Sequence, residues 1–315
     1  MTTLRRLGQT DFQIEPLVLG TNTAGWTADE ATSFAIFDAF VDLGFTALDT
    51  ADVYSRWVPG NDSESERIIG RWMKARGNRD RVHVLTKVGS DIGQGKRDLS
   101  AKWIMQAVEG SLSRLQTDYI DLYQSHWPDT TVSQDETLEA YDRLIRAGKV
   151  RWIGCSNYDE ALLTEAMAVS EAKGLPRYQT VQNEFNLLNR SAYEGAVQDI
   201  VLREGLSLIP YYSLSAGFLT GKYRTEADLA QSPRGNSVKR FMTERGMAVL
   251  AAMDEVAANT GATLTEIALA WVAAQPGVVG PLASATSVEQ LESLARGARL
   301  QLGAEDLARL TAAGA

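Results

Sequence analysis

The chain has 315 residues, of which 44% are hydrophobic and 23% charged, with a formal net charge of -9. That length suits about two domains or one α/β barrel, and it can bury a large core without disulfides. The acidic balance argues against non-specific binding to nucleic acid or an anionic membrane surface, both of which need a basic face. The lone Cys155 excludes an intrachain disulfide and a cysteine-based zinc site, and with only His83 and His126 a multi-histidine metal site is not expected. Met1 to Leu7 leads into no apolar signal core, and no long uncharged apolar run follows. The expectation is a protein of the reducing cytoplasm with no membrane partner.

In chain order, Leu4 to Ile14 suggests a small hairpin. Short apolar runs then recur at Leu17–Thr21, Thr46–Thr50, Val82–Val88, Tyr119–His126, Val150–Ser156, Thr180–Phe185, Leu206–Ser213 and Val278–Ser284. Nearly continuous apolar runs of this length fit parallel strands covered on both faces. Helical patterns lie between them at Ala31–Leu43, Ser63–Ala75, Trp103–Leu115, Thr137–Ala147, Ala161–Ala172, Tyr193–Arg203, Gly246–Asn259 and Val288–Ala295. Ser63 and Glu66 have the spacing of a capping box, and Gly44, Gly77, Gly148, Gly174 and Gly205 stand where helices should stop. This alternation closes most simply into a (β/α)8 TIM barrel with an N-terminal hairpin, read as a single unit over 1–315. An open doubly wound sheet would show Gly-x-Gly-x-x-Gly after its first strand, and Leu19-Gly20-Thr21-Asn22-Thr23-Ala24-Gly25 does not fit. The stretch Ser215–Met242, after the seventh strand, is long for a connection and so is expected to be functional or disordered.

Chemistry on such a barrel sits at the carboxyl ends of the strands. Those positions carry Asp49, Tyr54, Lys87 and His126, then Ser156-Asn157, Gln182, Tyr212-Ser213 and Ser284. The first four suit acid–base work: a phenol is a weak acid, an adjacent ammonium favours its release of a proton, a carboxylate balances the buried ammonium, and an imidazole can orient a carbonyl oxygen. Taken singly, Asp49 could cap a loop, Lys87 could be a solvated strand end, Tyr54 a loop anchor and His126 a satisfied interior histidine. Their joint placement on neighbouring strands favours the catalytic reading. Cys155 reads as a small buried residue with no activating base. Trp26, Trp57 and Trp127 follow strand ends and could line an apolar substrate pocket or anchor loops.

The segments Leu48-Asp49-Thr50-Ala51-Asp52-Val53-Tyr54, Leu85-Thr86-Lys87-Val88, Asp121 to Asp129, Gly148 to Asn157, Gln182-Asn183-Glu184-Phe185-Asn186, Tyr212-Ser213-Leu214 and Gly217 to Tyr223 together resemble the aldo-keto reductase family, in order and across essentially the whole chain. The resemblance implies an NAD(P)(H)-dependent reductase of aldehydes or ketones. Tyr54 would be its general acid, Lys87 the residue lowering that acid's pKa, Asp49 the partner of Lys87, and His126 the group orienting the carbonyl. Ser156, Asn157 and Gln182 would hold the nicotinamide carboxamide, and Tyr212 would stack on its ring. Ser213, Leu214, Leu219 and Lys222 would border the pyrophosphate. Gly20, Thr21, Asp49, Ser284, Thr286 and Gln290 would complete the cofactor site. With Tyr54 and His126, the three tryptophans would meet the small carbonyl substrate. The family often places a basic residue after strand eight, yet no Lys or Arg occurs from Ser284 through Gln290. NADP(H) is therefore the expected cofactor by a modest margin over NAD(H), using cations from Lys222, Arg224, Lys239 or Arg240. A regulatory protein on the same scaffold, such as a potassium-channel β subunit, is the alternative. A metal- or phosphate-dependent barrel lyase or isomerase lacks the clustered ligands it would need. Physiological substrate and oligomeric state are open at this point.

Overall fold

The structure, a computed structural model, describes residues 4–231 and 235–315. A two-stranded antiparallel hairpin, β1 (Arg5–Arg6) and β2 (Gln13–Ile14), comes first. The barrel strands follow: β3 (Val18–Gly20), β4 (Ala47–Asp49), β5 (His83–Val88), β6 (Ile120–Ser125), β7 (Val150–Ser156), β8 (Thr180–Gln182), β9 (Ser207–Leu208) and β10 (Leu282–Ala283). All neighbours pair in parallel, in the order β10-β3-β4-β5-β6-β7-β8-β9. The seam between β9 and β10 is joined by backbone hydrogen bonds from Leu208 N to Gly277 O at 2.8 Å, Val279 N to Leu208 O at 3.0 Å and Leu282 N to Pro210 O at 3.0 Å.

Every expected strand is present, but β9 and β10 are shorter than the apolar runs that announce them. Pro210 has no N–H to offer a ladder, and Gly280-Pro281 interrupts the last run in the same way. Helices α1 (Glu30–Asp42), α2 (Glu64–Arg76), α3 (Ala101–Leu115), α4 (Gln134–Arg146), α5 (Glu160–Lys173) and α6 (Ala196–Glu204) fill the crossovers. Beyond β9 come α7 (Gly235–Val238), α8 (Glu244–Thr260) and α9 (Leu264–Ala273), and beyond β10 come α10 (Val288–Arg299) and α11 (Ala304–Ala313). Gly77, Gly174 and Gly205 end their helices in the left-handed region, where a Cβ is costly.

The Ser63–Glu66 capping box does not form. Ser63 sits at φ 55° and gives its hydroxyl to the Asp52 carbonyl, while Glu66 is buried, accepting from Thr86 Oγ1 at 2.6 Å and pairing with Arg114 at 2.6 Å. A true capping box opens α9 instead, at Thr263 and Glu266.

The hairpin plugs the amino end of the barrel. Leu7, Phe12 and Ile14 pack with Val18, Ala47, Leu85, Leu122, Ile209 and Val279 in one buried cluster. Gly8 N donates to Ser207 Oγ at 2.8 Å, Gln9 N donates to Gln179 Oε1 at 2.9 Å, and the Phe12 ring stacks on His83 at 4.4 Å. With that end closed, the opposite rim is the one left to open into a site, and His83 is kept far from it. The long connection after β9 is largely ordered as short turns: 3-10 segments at Ser215–Thr220, Glu226–Gln231 and Lys239–Phe241, with α7 between the last two. No helix among the described residues is long and apolar enough to cross a membrane.

Candidate active site

Lys87, the penultimate residue of β5, is fully buried. An ammonium there must be compensated, and three oxygens do so: Asp49 Oδ1 at 2.5 Å, the Thr50 carbonyl at 2.8 Å and the Tyr54 hydroxyl at 3.2 Å. The parallel register sets this geometry, since Asp49 ends β4 and Lys87 lies two residues past its pair, Leu85. The second carboxylate oxygen of Asp49 accepts from Gln182 Nε2 at 2.9 Å and Gln124 Nε2 at 3.2 Å, drawing β6 and β8 into the same network. Burial by itself would lower the Lys87 pKa, but the attractions of Asp49 and Tyr54 outweigh it and hold the group above its ordinary value. Lys87 is a permanent cation at the centre of the barrel mouth.

Tyr54 is reached by a tight turn after β4 and has its ring edge-to-face with His126, centroids 5.8 Å apart. Burial raises the phenol above its ordinary pKa, and the opposing pull of Lys87 only partly offsets this. Lys87 thus pulls the phenol in the expected direction, but desolvation outweighs it and Tyr54 stays protonated. His126 follows β6, with Nδ1 3.0 Å from Ser90 Oγ. Burial first, and then the Lys87 and Arg97 cations, push its pKa well below the usual imidazole range, so the ring is neutral. Tyr54, Lys87, Asp49 and His126 therefore meet as one acid–base cluster.

The tryptophans gather at its rim. Trp57 lies edge-on to Tyr54 at 6.2 Å and to Trp26 at 5.6 Å, and Trp127 stacks parallel to His126 at 5.8 Å. Trp26 and Trp57 are 39% and 48% exposed, which leaves apolar faces open beside Tyr54.

The remaining candidates lie along the neighbouring strand ends. Ser156 Oγ donates to the Gln182 carbonyl at 2.6 Å. Asn157, at φ 62°, donates to the His126 carbonyl at 2.9 Å and accepts from the Tyr211 hydroxyl at 2.7 Å. Tyr212 is 49% exposed with its backbone at φ 54°, a conformation costly for a bulky residue, and Asn186 Nδ2 holds its carbonyl at 3.1 Å. Gly20 ends β3 so close to β10 that a Cβ would stand 2.6 Å from Ser284 Oγ, which itself donates to Asn22 Oδ1 at 2.7 Å. Thr21 donates to the Asp49 carbonyl from both its N–H and its hydroxyl, each at 2.9 Å. Thr286 is tied to Gln290 Oε1 through its N–H at 3.0 Å, beside the Ser287 cap of α10. Ser213 turns its hydroxyl back to the Pro210 carbonyl and Leu219 is buried in the core, so neither side chain faces the mouth; Leu214 is half-buried and packs against the core, and Lys222 is exposed.

Of the loop cations, Arg224 is held by Asp254 through two 2.8 Å hydrogen bonds and Lys239 lies 3.7 Å from Glu226. Arg240 stands over the Tyr212 ring at 5.8 Å. Cys155 is buried and its thiol is pushed up by desolvation, which leaves it inert. Sequence reasoning missed Gln124 and Ser90. Gln124 could have been found as a buried amide one residue before the end of β6.

The family model for the aldo/keto reductases matches residues 16–315. The chain belongs to the aldo/keto reductase family. This aldo-keto reductase is 32% identical to Protein tas of Escherichia coli over 98% of this chain and 96% of that protein, and 34% identical to the uncharacterized oxidoreductase YrpG of Bacillus subtilis over 96% and 93%. It is also 30% identical to a probable voltage-gated potassium channel subunit beta of rice, over 91% of this chain and 88% of that one. It is an enzyme of the carbonyl-reducing, nicotinamide-using kind that defines the family.

Proposed function

We propose that this aldo-keto reductase converts aldehydes or ketones to alcohols with Tyr54 as the proton donor. The observation that carries the reading is Lys87 Nζ, fully buried, touching both Asp49 and the Tyr54 hydroxyl beside a neutral His126. Tyr54 rests as a loaded acid because burial keeps its proton on. As negative charge grows on a carbonyl oxygen placed against the phenol, the proton moves to it, and Lys87 stabilises the phenolate left behind from 3.2 Å. In the tautomer whose Nδ1 accepts from the Ser90 hydroxyl 3.0 Å away, His126 presents Nε2–H to the same oxygen. Gln124 and Gln182 fix the Asp49 carboxylate, which keeps Lys87 in place.

The residues fit a nicotinamide. Tyr212 offers an open aromatic face close enough to Tyr54 for their charges to interact, with Ser156, Asn157 and Gln182 on the adjoining strand ends. A bound reduced nicotinamide supplies the hydride. Gly20, Thr21, Ser284, Thr286 and Gln290 would border the rest of the cofactor, together with the Ser213–Lys222 segment. Arg240 over Tyr212 and the exposed Lys222 support a modest preference for NADPH. The test is whether the purified protein consumes NADPH in step with reduction of a simple aldehyde. A channel-subunit-like regulator, the reading favoured by the rice relative, would bind NADPH without turning it over.

A further inference from the structure

The mouth beside His126 carries a cation to which the proposed chemistry assigns no contact with the substrate. Arg97 lies in the loop after β5, exposed, with its guanidinium 4.3 Å above the Trp127 ring. Trp127 in turn stacks on His126 at 5.8 Å with only 15° between the planes. The loop is held against this wall: Asp98 N donates to the Gly89 carbonyl at 3.3 Å, and Leu99 N donates to Asp129 Oδ2 at 3.1 Å. The backbone following Arg97 is therefore held, and its guanidinium stands at the edge of the stack that ends on His126.

The acids of this rim are otherwise engaged. Asp91 accepts from Gly93 N at 2.9 Å and Gly95 N at 3.0 Å. Asp98 accepts from Ser100 N at 2.9 Å and lies 3.4 Å from Lys96, and Asp129 accepts from Leu99 N, Thr131 N and the Thr131 hydroxyl. The other arginine by the Tyr54 loop, Arg56, is taken by Asp62 and the Ile92 carbonyl. Among the described residues, Arg97 makes no ion pair and no hydrogen bond; it only stacks. A fork of N–H donors on an aromatic shelf, on a protein of net charge -9, is a local exception to the surrounding field. His126, Trp127 and Arg97 thus form one continuous edge, with the imidazole at one end and an unpaired guanidinium at the other.

We propose that Arg97 and Trp127 form an anion-accepting edge of the substrate pocket, and that the preferred substrates are planar or aromatic carbonyl compounds bearing a carboxylate. This deepens the reductase reading and rests on it for the word substrate. A carboxylate reaching this edge would meet the fork of N–H donors that Trp127 holds from below.

The test compares 4-carboxybenzaldehyde with 4-methylbenzaldehyde, using the full chain with NADPH, for the native protein, Arg97→Gln and Arg97→Lys. Binding of 4-carboxybenzyl alcohol to the NADP+ complex is measured separately by calorimetry. The ratio of kcat/KM for the carboxylate over the methyl compound should fall about tenfold in Arg97→Gln through KM, and recover in part in Arg97→Lys. That ratio should also drop in the native protein as salt is raised. Affinity for the carboxylated alcohol should fall by a similar factor. An unchanged ratio or an unchanged affinity in Arg97→Gln overturns the proposal. Absence of turnover with both aldehydes, while Arg97→Gln still loses carboxylate affinity, would remove the reductase reading and leave the anion site standing.

Discussion

Replacing Lys87 with methionine separates what this residue does for the fold from what it does for turnover. In the native protein its ammonium is fully buried and satisfied by Asp49, Thr50 and Tyr54. The substitution leaves Asp49 as a buried carboxylate that has lost its counter-charge, a situation that costs about 3–5 kcal/mol. Gln182 and Gln124 still donate to Asp49 Oδ2 at 2.9 and 3.2 Å, so the low end, about 3 kcal/mol, is expected. At about 2 °C per kcal/mol for a chain of this size, Tm should fall by roughly 6 °C. Turnover should fall by about 10² or more, because the cation that stabilises the Tyr54 phenolate has gone. In the double variant Lys87→Met/Asp49→Asn the uncompensated charge is removed as well. That variant should regain most of the lost Tm and none of the turnover, whereas Asp49→Asn alone should fall between native and Lys87→Met in stability. The assay is thermal unfolding beside kcat/KM for a simple aldehyde, at one pH, for all four proteins. Strictly additive losses of Tm, or near-native turnover in Lys87→Met, would refute the reasoning.

Two further outcomes are expected. Asp52 is buried, neither carboxylate oxygen has a hydrogen-bond partner, and burial followed by repulsion from Glu66 pushes its pKa well above 3.8. The unfolded chain releases this proton near the ordinary aspartate value while the folded chain keeps it, so stability is full below that range and is lost as pH rises through it toward the folded value; Asp52→Asn should raise Tm at pH 7 by about 2 °C or more and by much less at pH 4, and an equal shift at both would contradict this. For cofactor choice, Arg240→Ala should weaken NADPH binding about tenfold and leave NADH unchanged, while Arg224→Ala, already spoken for by Asp254, should alter neither; equal weakening of both cofactors by Arg240→Ala would move the 2′-phosphate elsewhere.

Most of the barrel was legible because its strands are continuous apolar runs and its crossovers end on glycines such as Gly77, Gly174 and Gly205. What escaped has specific causes. Helix α9 runs through Ile267-Ala268-Leu269-Ala270-Trp271-Val272 with every one of these buried, so no amphipathic period marks it. Helix α11 lies beyond the eight repeats, where alternation gave no reason to look. The Ser63 signal misled because the residue's hydroxyl was claimed by Asp52, a contact from another segment. In the site, side-chain identity at strand ends was enough to bring Asp49, Tyr54, Lys87 and His126 together, since register fixes those positions. It was not enough to order their electrostatics: the net rise at Tyr54 depends on how deeply the phenol is buried, which a one-dimensional pattern does not contain. Arg97 was invisible for a related reason, because its significance lies in the carboxylates around it being occupied by backbone N–H groups.

Tyr54→Phe tests most directly whether Tyr54 donates the proton. The substitution keeps the ring against His126 and Trp57 and removes only the hydroxyl that Lys87 touches. NADPH affinity, followed by fluorescence, should be unchanged, and single-turnover reduction of a simple aldehyde should slow by about 10²–10⁴ or more. Near-native turnover in Tyr54→Phe, with NADPH still bound, would show that the acid lies elsewhere.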